Sequence, residues 1–167
     1  MRDRFWATFI NYKYKGFVIE LLYCKYQRWE RNINVFLAIA SSSSIAAWAL
    51  WKELDWLWAG IIASSQLINA IKPFFPYNKY VKELGSKFLK MENLTIECEK
   101  LWDKIQNDTI TEEETSKKYY EFKKESSDIL RFSDDIIFDV SKQSDIENKA
   151  TELNKNFFRT HYNVELK

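Results

Sequence analysis

Residues 32–51 and 56–71 carry no Asp, Glu, Lys or Arg, and only Lys52-Glu53-Leu54-Asp55 separates them in an otherwise densely charged chain. This pattern predicts a transmembrane helical hairpin attached to a helical protein. At ~1.5 Å per residue, about 20 residues of helix match the ~30 Å hydrocarbon core of a bilayer. The second stretch is shorter, but Lys72 can snorkel, and residues 54–75 make a segment long enough to cross. The competing reading is a helical hairpin buried in a soluble protein, because Ser41, Ser42, Ser43, Ser44, Gln66 and Asn69 lower the apolar content. A soluble core helix seldom runs so far without a charge, since one face must meet water.

Helical periodicity continues on both sides. Residues 4–31 mix Phe5, Trp6, Phe9, Ile10, Tyr12, Tyr14, Phe17, Val18, Leu21, Leu22, Tyr26 and Trp29 with basic residues. Two readings stand open: a helix lying in the membrane interface, or one packed on a soluble bundle through Phe17, Leu21 and Leu22. Gly16 is a candidate break. After Pro73 and Pro76, which disfavour helix before them, a seam of threes and fours runs through Val81, Leu84, Phe88, Met91, Thr95, Cys98, Trp102 and Ile105. Leu94 and Leu101 widen it, and Asn107-Asp108-Thr109 ends it.

Thr111-Glu112-Glu113-Glu114 has the form of a capping box opening a second helix, with Tyr119, Phe122, Ile129, Leu130, Ile136, Ile137 and Val140 as its apolar positions. The two helices are expected to pair antiparallel. Ser144-Asp145-Ile146-Glu147 opens a last helix with Ile146, Ala150, Leu153 and Phe157 as its expected inner face. The expected class is all-α: an amphipathic N-terminal helix over 1–31, a two-helix transmembrane hairpin over 32–75, and a cytoplasmic antiparallel bundle over 76–167.

Charge sets the orientation. Basic residues crowd both outer flanks of the hairpin (Lys25, Arg28 and Arg31 before; Lys72, Lys79, Lys82, Lys87 and Lys90 after), while the turn has one Lys against Glu53 and Asp55. The positive-inside rule then places both termini of a multi-pass membrane protein in the cytoplasm. Of seven tryptophans, Trp48, Trp51, Trp56 and Trp58 cluster at the turn and Trp29 stands before the first span, as expected of interface anchors. A net charge of +1 points to no nucleic-acid partner. No short apolar run with a small-residue cleavage site precedes the first span, so a cleavable signal peptide is not expected. Cys24 and Cys98, both on the cytoplasmic side in this reading, are expected as free thiols.

No catalytic, cofactor or metal constellation emerges. His161 is the single histidine, and Asp134, Asp135, Asp139 and the Glu112–Glu114 run read as solvated helix faces, the latter favoured by the helix dipole. There is no Gly-rich phosphate loop, no GxSxG elbow and no CxxC. The expectation is a protein that is not an enzyme and needs no cofactor. The polar residues of the spans, namely Ser41–Ser44 with Ser64, Ser65, Gln66 and Asn69, should face protein or a water-filled path, because lipid cannot hydrogen-bond them. Ala38, Ser42 and Ala46 share one stripe, as do Gly60 and Ser64; both packing within the hairpin and pore lining after homo-oligomerisation fit such stripes.

The aromatic-basic approach Tyr23-Cys24-Lys25-Tyr26-Gln27-Arg28-Trp29, the tight hairpin and the exit through Phe74-Phe75-Pro76-Tyr77 together resemble the SMODS- and SLOG-associating two-transmembrane effector (SLATT) family. That resemblance implies a bacterial membrane effector of an anti-phage or conflict system, pore-forming on oligomerisation, that disrupts the membrane and arrests growth. It also implies a nucleotide signal or a protein as trigger. The alternative is a non-conducting anchor or scaffold that recruits a cytoplasmic partner through the face over 119–140. No site residue carries over from the family.

Overall fold

The computed structural model describes residues 1–50, 55–71, 77–132 and 144–166, with the side chains of residues 41–50 among those left out. Five helices account for these residues: α1 (Arg2–Leu50), α2 (Asp55–Ile71), α3 (Tyr77–Gln106), α4 (Glu112–Leu130) and α5 (Ser144–Tyr162). The described residues form no strand, in line with the all-α expectation. The chain divides into two compact units, Met1–Tyr23 with Lys82–Lys167, and Cys24–Val81.

The first unit is a four-helix bundle made by the start of α1, most of α3, and all of α4 and α5. Each helix buries one stripe at three/four spacing: Phe5, Phe9, Tyr12, Ile19 and Leu22 on α1; Leu84, Met91, Leu94, Cys98, Leu101 and Ile105 on α3; Thr115, Tyr119, Phe122, Ser126 and Ile129 on α4; Ala150, Asn154 and Phe158 on α5. Contacts fix the directions. Arg2 meets the end of α3 while Tyr23 stacks on Phe88 near its start, so α1 and α3 are antiparallel. Lys87, early in α3, reaches the last carbonyls of α4, which makes those two antiparallel as expected. Phe9 packs on Phe158 and Asn154 reaches Ile10, so α5 runs against α1.

The N-terminal segment therefore follows the bundle-packing alternative. Its aromatic residues form one cluster: Phe5 stacks on Trp102 (6.4 Å), Trp6 tilts against Trp102 (4.5 Å), and both Trp6 and Phe9 meet Phe158 edge-on (5.3 Å). Such pairs add about 0.5–1.5 kcal/mol each beyond their area burial. Its basic residues lie over rings of the same unit, Arg4 at 4.7 Å from Tyr119 and Lys13 at 4.2 Å from Phe157. The expected face is corrected in detail, since Phe17 and Leu21 are half-buried while Phe5, Phe9 and Ile19 join Leu22 inside. Gly16 breaks nothing; α1 is helical through it, and a Cβ there would meet Met91 at 3.6 Å. The glycine that matters for close approach is Gly85, where a Cβ would come within 3.1 Å of the Tyr23 ring.

Helix ends follow local rules. Thr111 caps α4 as a full capping box: its hydroxyl accepts from the Glu114 N–H, and the Glu114 carboxylate accepts from the Thr111 N–H (both 3.2 Å). The Thr111 N–H, and after it the Thr111 hydroxyl donating to Glu114 Oε2 at 2.9 Å, hold the Glu114 carboxyl below its ordinary range. α3 ends where Asn107-Asp108-Thr109 was expected to end it; Asp108 adopts φ 51° and the Thr109 N–H bonds the Lys104 carbonyl at 3.0 Å. The last helix opens at Ser144 as expected, but its inner face is Ala150, Asn154 and Phe158, one position round from Leu153 and Phe157. The described part of the 119–140 face (Tyr119, Phe122, Ile129) is buried in the bundle. It is not open for a partner, contrary to the scaffold alternative as drawn. Ile136, Ile137 and Val140 lie outside the described residues.

Candidate functional site

The second unit, Cys24–Val81, contains the later part of α1, all of α2 and the start of α3. Tyr26 and Tyr80 approach at 6.0 Å between ring centroids, and Trp29, Asn32, Ile33 and Phe36 of α1 with Ile68 of α2 line a cleft of about 280 Å³. Ile61, Ser65 and Ile68 of α2 are half-buried at i, i+4, i+7, but no described residue of α2 is buried. Eight of the twelve exposed large apolar side chains among the described residues lie in this unit: Trp29, Val35, Phe36, Ile39, Trp56, Ile62, Leu67 and Ile71. A largely apolar helix is normally a buried helix or a membrane helix; α2 carries no charge after Asp55, and its apolar residues are open. Patches of this kind mark contact with a partner or a membrane.

The outward face of α1 has an order along its axis. Lys25, Arg28, Trp29, Asn32, Val35, Phe36 and Ile39 recur at three and four and are all exposed, while Tyr26, Ile33, Leu37 and Ala40 on the other side are half-buried or buried. The exposed stripe thus begins with cations and ends with hydrocarbon. In a helix lying at a water–apolar boundary, polarity changes around the axis instead.

The expected site residues fall out as follows. Trp29 and Trp56 are 56% and 76% exposed, consistent in exposure with a role as anchors. Trp48 and Trp58 belong to α1 and α2 by backbone, but their side chains, with Trp51 entire, lie outside the described residues, as do the side chains of Ser41, Ser42, Ser43 and Ser44. Ser64, Gln66 and Asn69 are exposed rather than turned toward the neighbouring helix. Ser65 is half-buried and donates its hydroxyl to the Ile62 carbonyl one turn back at 2.8 Å. Of the small-residue stripes, Gly60 has nothing within 4 Å of a built Cβ among the described residues, and Ala38 and Ser64 are exposed, while the side chains of Ser42 and Ala46 lie outside the described residues.

Length bears on the membrane expectation. Among the described residues no helix is long and apolar enough to cross a membrane. α2 has 17 residues, about 25 Å of helix at ~1.5 Å per residue against a core of ~30 Å. Lys72 and residues 73–76, expected to extend it, lie outside the described residues, and the uncharged stretch of α1 runs into residues 41–50, whose side chains do too.

Elsewhere, polar groups serve the bundle. Lys87, buried at 8% exposure, donates to the carbonyls of Ile129 (2.7 Å) and Arg131, lies 3.5 Å from Glu83 and sits 4.5 Å from the Phe132 ring. Reading only flank charges along the sequence missed this role; the signal was its place in step with Leu84, Met91 and Leu94. Arg2 likewise donates to the Ile105 and Gln106 carbonyls at the end of α3. Burial pushes the Cys98 thiol and the Tyr12 hydroxyl each up to about 12, with Glu125 and Glu97 adding to the first and Cys98 to the second. Both cysteines are free. His161 is exposed against Phe157. No three potential metal ligands gather among the described residues; Asp134, Asp135 and Asp139 lie outside them. Comparison of the chain with protein-family profiles, with curated proteins and with solved structures yields no match.

Proposed function

We propose that the chain is a non-enzymatic membrane effector of a bacterial conflict or anti-phage system. Its helical pair enters the inner membrane as a hairpin with both termini cytoplasmic, and homo-oligomerisation opens a path through the bilayer. The observation that carries this reading is the exposed apolar surface of α2, uncharged after Asp55, and of α1 from Val35 to Ile39, in a chain whose bundle buries its own apolar stripes. In water that surface costs about 25 cal/mol per Å² of apolar area, and lipid removes the cost. The open Gly60 and Ser64 stripe, with Gln66 and Asn69 exposed on the same helix, supports contacts between copies. Single hairpins enclose no aqueous path, and small and polar residues are what membrane helices use to associate. The resemblance of the sequence layout to SLATT domains is the ground for the effector role and for a nucleotide or protein trigger acting on the bundle.

The test is carbonate extraction of membranes from expressing cells, followed by dye release from vesicles holding the purified chain. The protein should stay in the membrane fraction and release dye. Substitution of Val35→Glu with Ile39→Glu should lower the share retained in the membrane fraction, because a carboxylate on each of the first two turns of the span is disfavoured in hydrocarbon, by less than the roughly 2.5 kcal/mol or more of the helix centre. Full release of the wild-type chain by carbonate would refute membrane insertion. Retention without leakage or growth arrest at any expression level would refute the pore.

A further inference from the structure

Resting on the membrane reading above, we infer that the exposed α1 turn around Arg28 and Arg31 is a headgroup-binding collar selective for anionic phospholipid. Three observations converge in the second unit. Arg28 and Arg31 are exposed, and they lie on or beside the same outward face as Trp29, which is 56% exposed. The next turns of that face are Val35, Phe36 and Ile39, 51%, 37% and 59% exposed, so within about three helical turns, or ~16 Å, the stripe passes from guanidinium to indole to aliphatic. Finally, the cleft lined by Trp29, Ile33, Phe36 and Ile68 opens just past those cations and is apolar apart from Asn32, a fit for the upper part of an acyl chain.

The order of groups matches the order met on entering a lipid monolayer, where phosphate comes first, then the glycerol level favoured by indole, then hydrocarbon. Guanidinium groups take phosphate oxygens through paired N–H donors. The one acid of this turn, Glu30, is half-buried and lines one cleft with Arg28 and Arg31, so two guanidinium groups face a phosphate against a single carboxylate. A protein partner is the weaker occupant, because a protein groove would need apolar and acidic surfaces stacked in the same order along one helix.

The test uses the full chain with vesicles of phosphatidylcholine alone and vesicles of equimolar phosphatidylcholine and phosphatidylglycerol, scored by flotation at low and high salt. The wild-type chain should favour the anionic vesicles by about tenfold or more at low salt, and less at high salt. Substituting both Arg28→Gln and Arg31→Gln should abolish that preference while leaving binding to phosphatidylcholine unchanged. Equal wild-type binding to both vesicles overturns the collar and leaves the membrane reading intact, as does a preference that survives in the double variant. Binding to neither vesicle overturns the membrane reading itself. Both side chains are exposed, so the variant should keep its helical circular-dichroism spectrum.

Discussion

Replacing Lys87 with Met tests whether the bundle depends on a buried ammonium. The thioether keeps most of the aliphatic stem and removes the charge. Lys87 gives two hydrogen bonds to carbonyls at the end of α4, where a cation also complements the helix dipole. Bonds from a charged donor contribute about 1.5–3 kcal/mol each, and part of that is offset because the variant no longer has to desolvate an ammonium. A net loss of about 3 kcal/mol follows, or roughly 100-fold in the bundle's opening equilibrium at tenfold per ~1.4 kcal/mol. Cys98 supplies the assay, since it is fully buried in the same unit and reacts with a thiol reagent only when the bundle opens. In a Cys24→Ser background, Lys87→Met should raise the rate of Cys98 labelling by about two orders of magnitude. The exposed control Lys90→Met should leave it within a factor of two or three. Equal rates for the two variants would show that water satisfies those carbonyls as well as Lys87 does.

Three further outcomes follow from the same packing. Thr111→Ala should destabilise α4 by about 1 kcal/mol, read as faster amide exchange in its first turn. Because Glu114 is held below its ordinary range, the cap should persist above the unfolded carboxyl value and weaken as pH falls through the folded one. Asn154 is buried with its Oδ1 unpartnered and only a 3.4 Å bond from its Nδ2 to Ile10, so Asn154→Leu should raise stability, by about 1 kcal/mol; a loss would mean the amide is satisfied. At alkaline pH, Cys98 is raised from 9.0 to about 12 and Tyr12 from 10.0 to about 12. The unfolded chain therefore sheds those protons first. Stability is fully present below about pH 9 and falls as pH rises toward 12, by about 1.4 kcal/mol per pH unit for each group ionising only when unfolded. A Cys98→Val variant should show a shallower decline in denaturation midpoint.

What the sequence determined by itself was local or periodic. The three/four seam of α3 appears in place as Leu84, Met91, Thr95, Cys98, Trp102 and Ile105, because helix periodicity and side-chain hydrophobicity are read from neighbours along one chain. The Thr111 capping box and the stop at Asn107-Asp108-Thr109 are equally local, each a matter of backbone groups that the adjoining side chains satisfy. The uncharged pair of segments was legible too, since charge is a property of composition.

Only the tertiary structure decided which neighbour each face meets. Phe5 and Trp6 suit a lipid interface as well as an aromatic cluster, and it is Trp102 and Phe158, about a hundred or more residues away, that claim them. Lys87 reads as a flank charge until the end of α4 is brought to it. On α5, Leu153 and Phe157 are more apolar than Asn154, yet α1 meets the helix one position round. Gly60 and Ser64 share one stripe of α2, and among the described residues nothing lies within 4 Å of a Cβ built on Gly60. Periodicity defines a face, but the surface opposite that face is set by long-range contacts, and no stretch of sequence contains both sides of one.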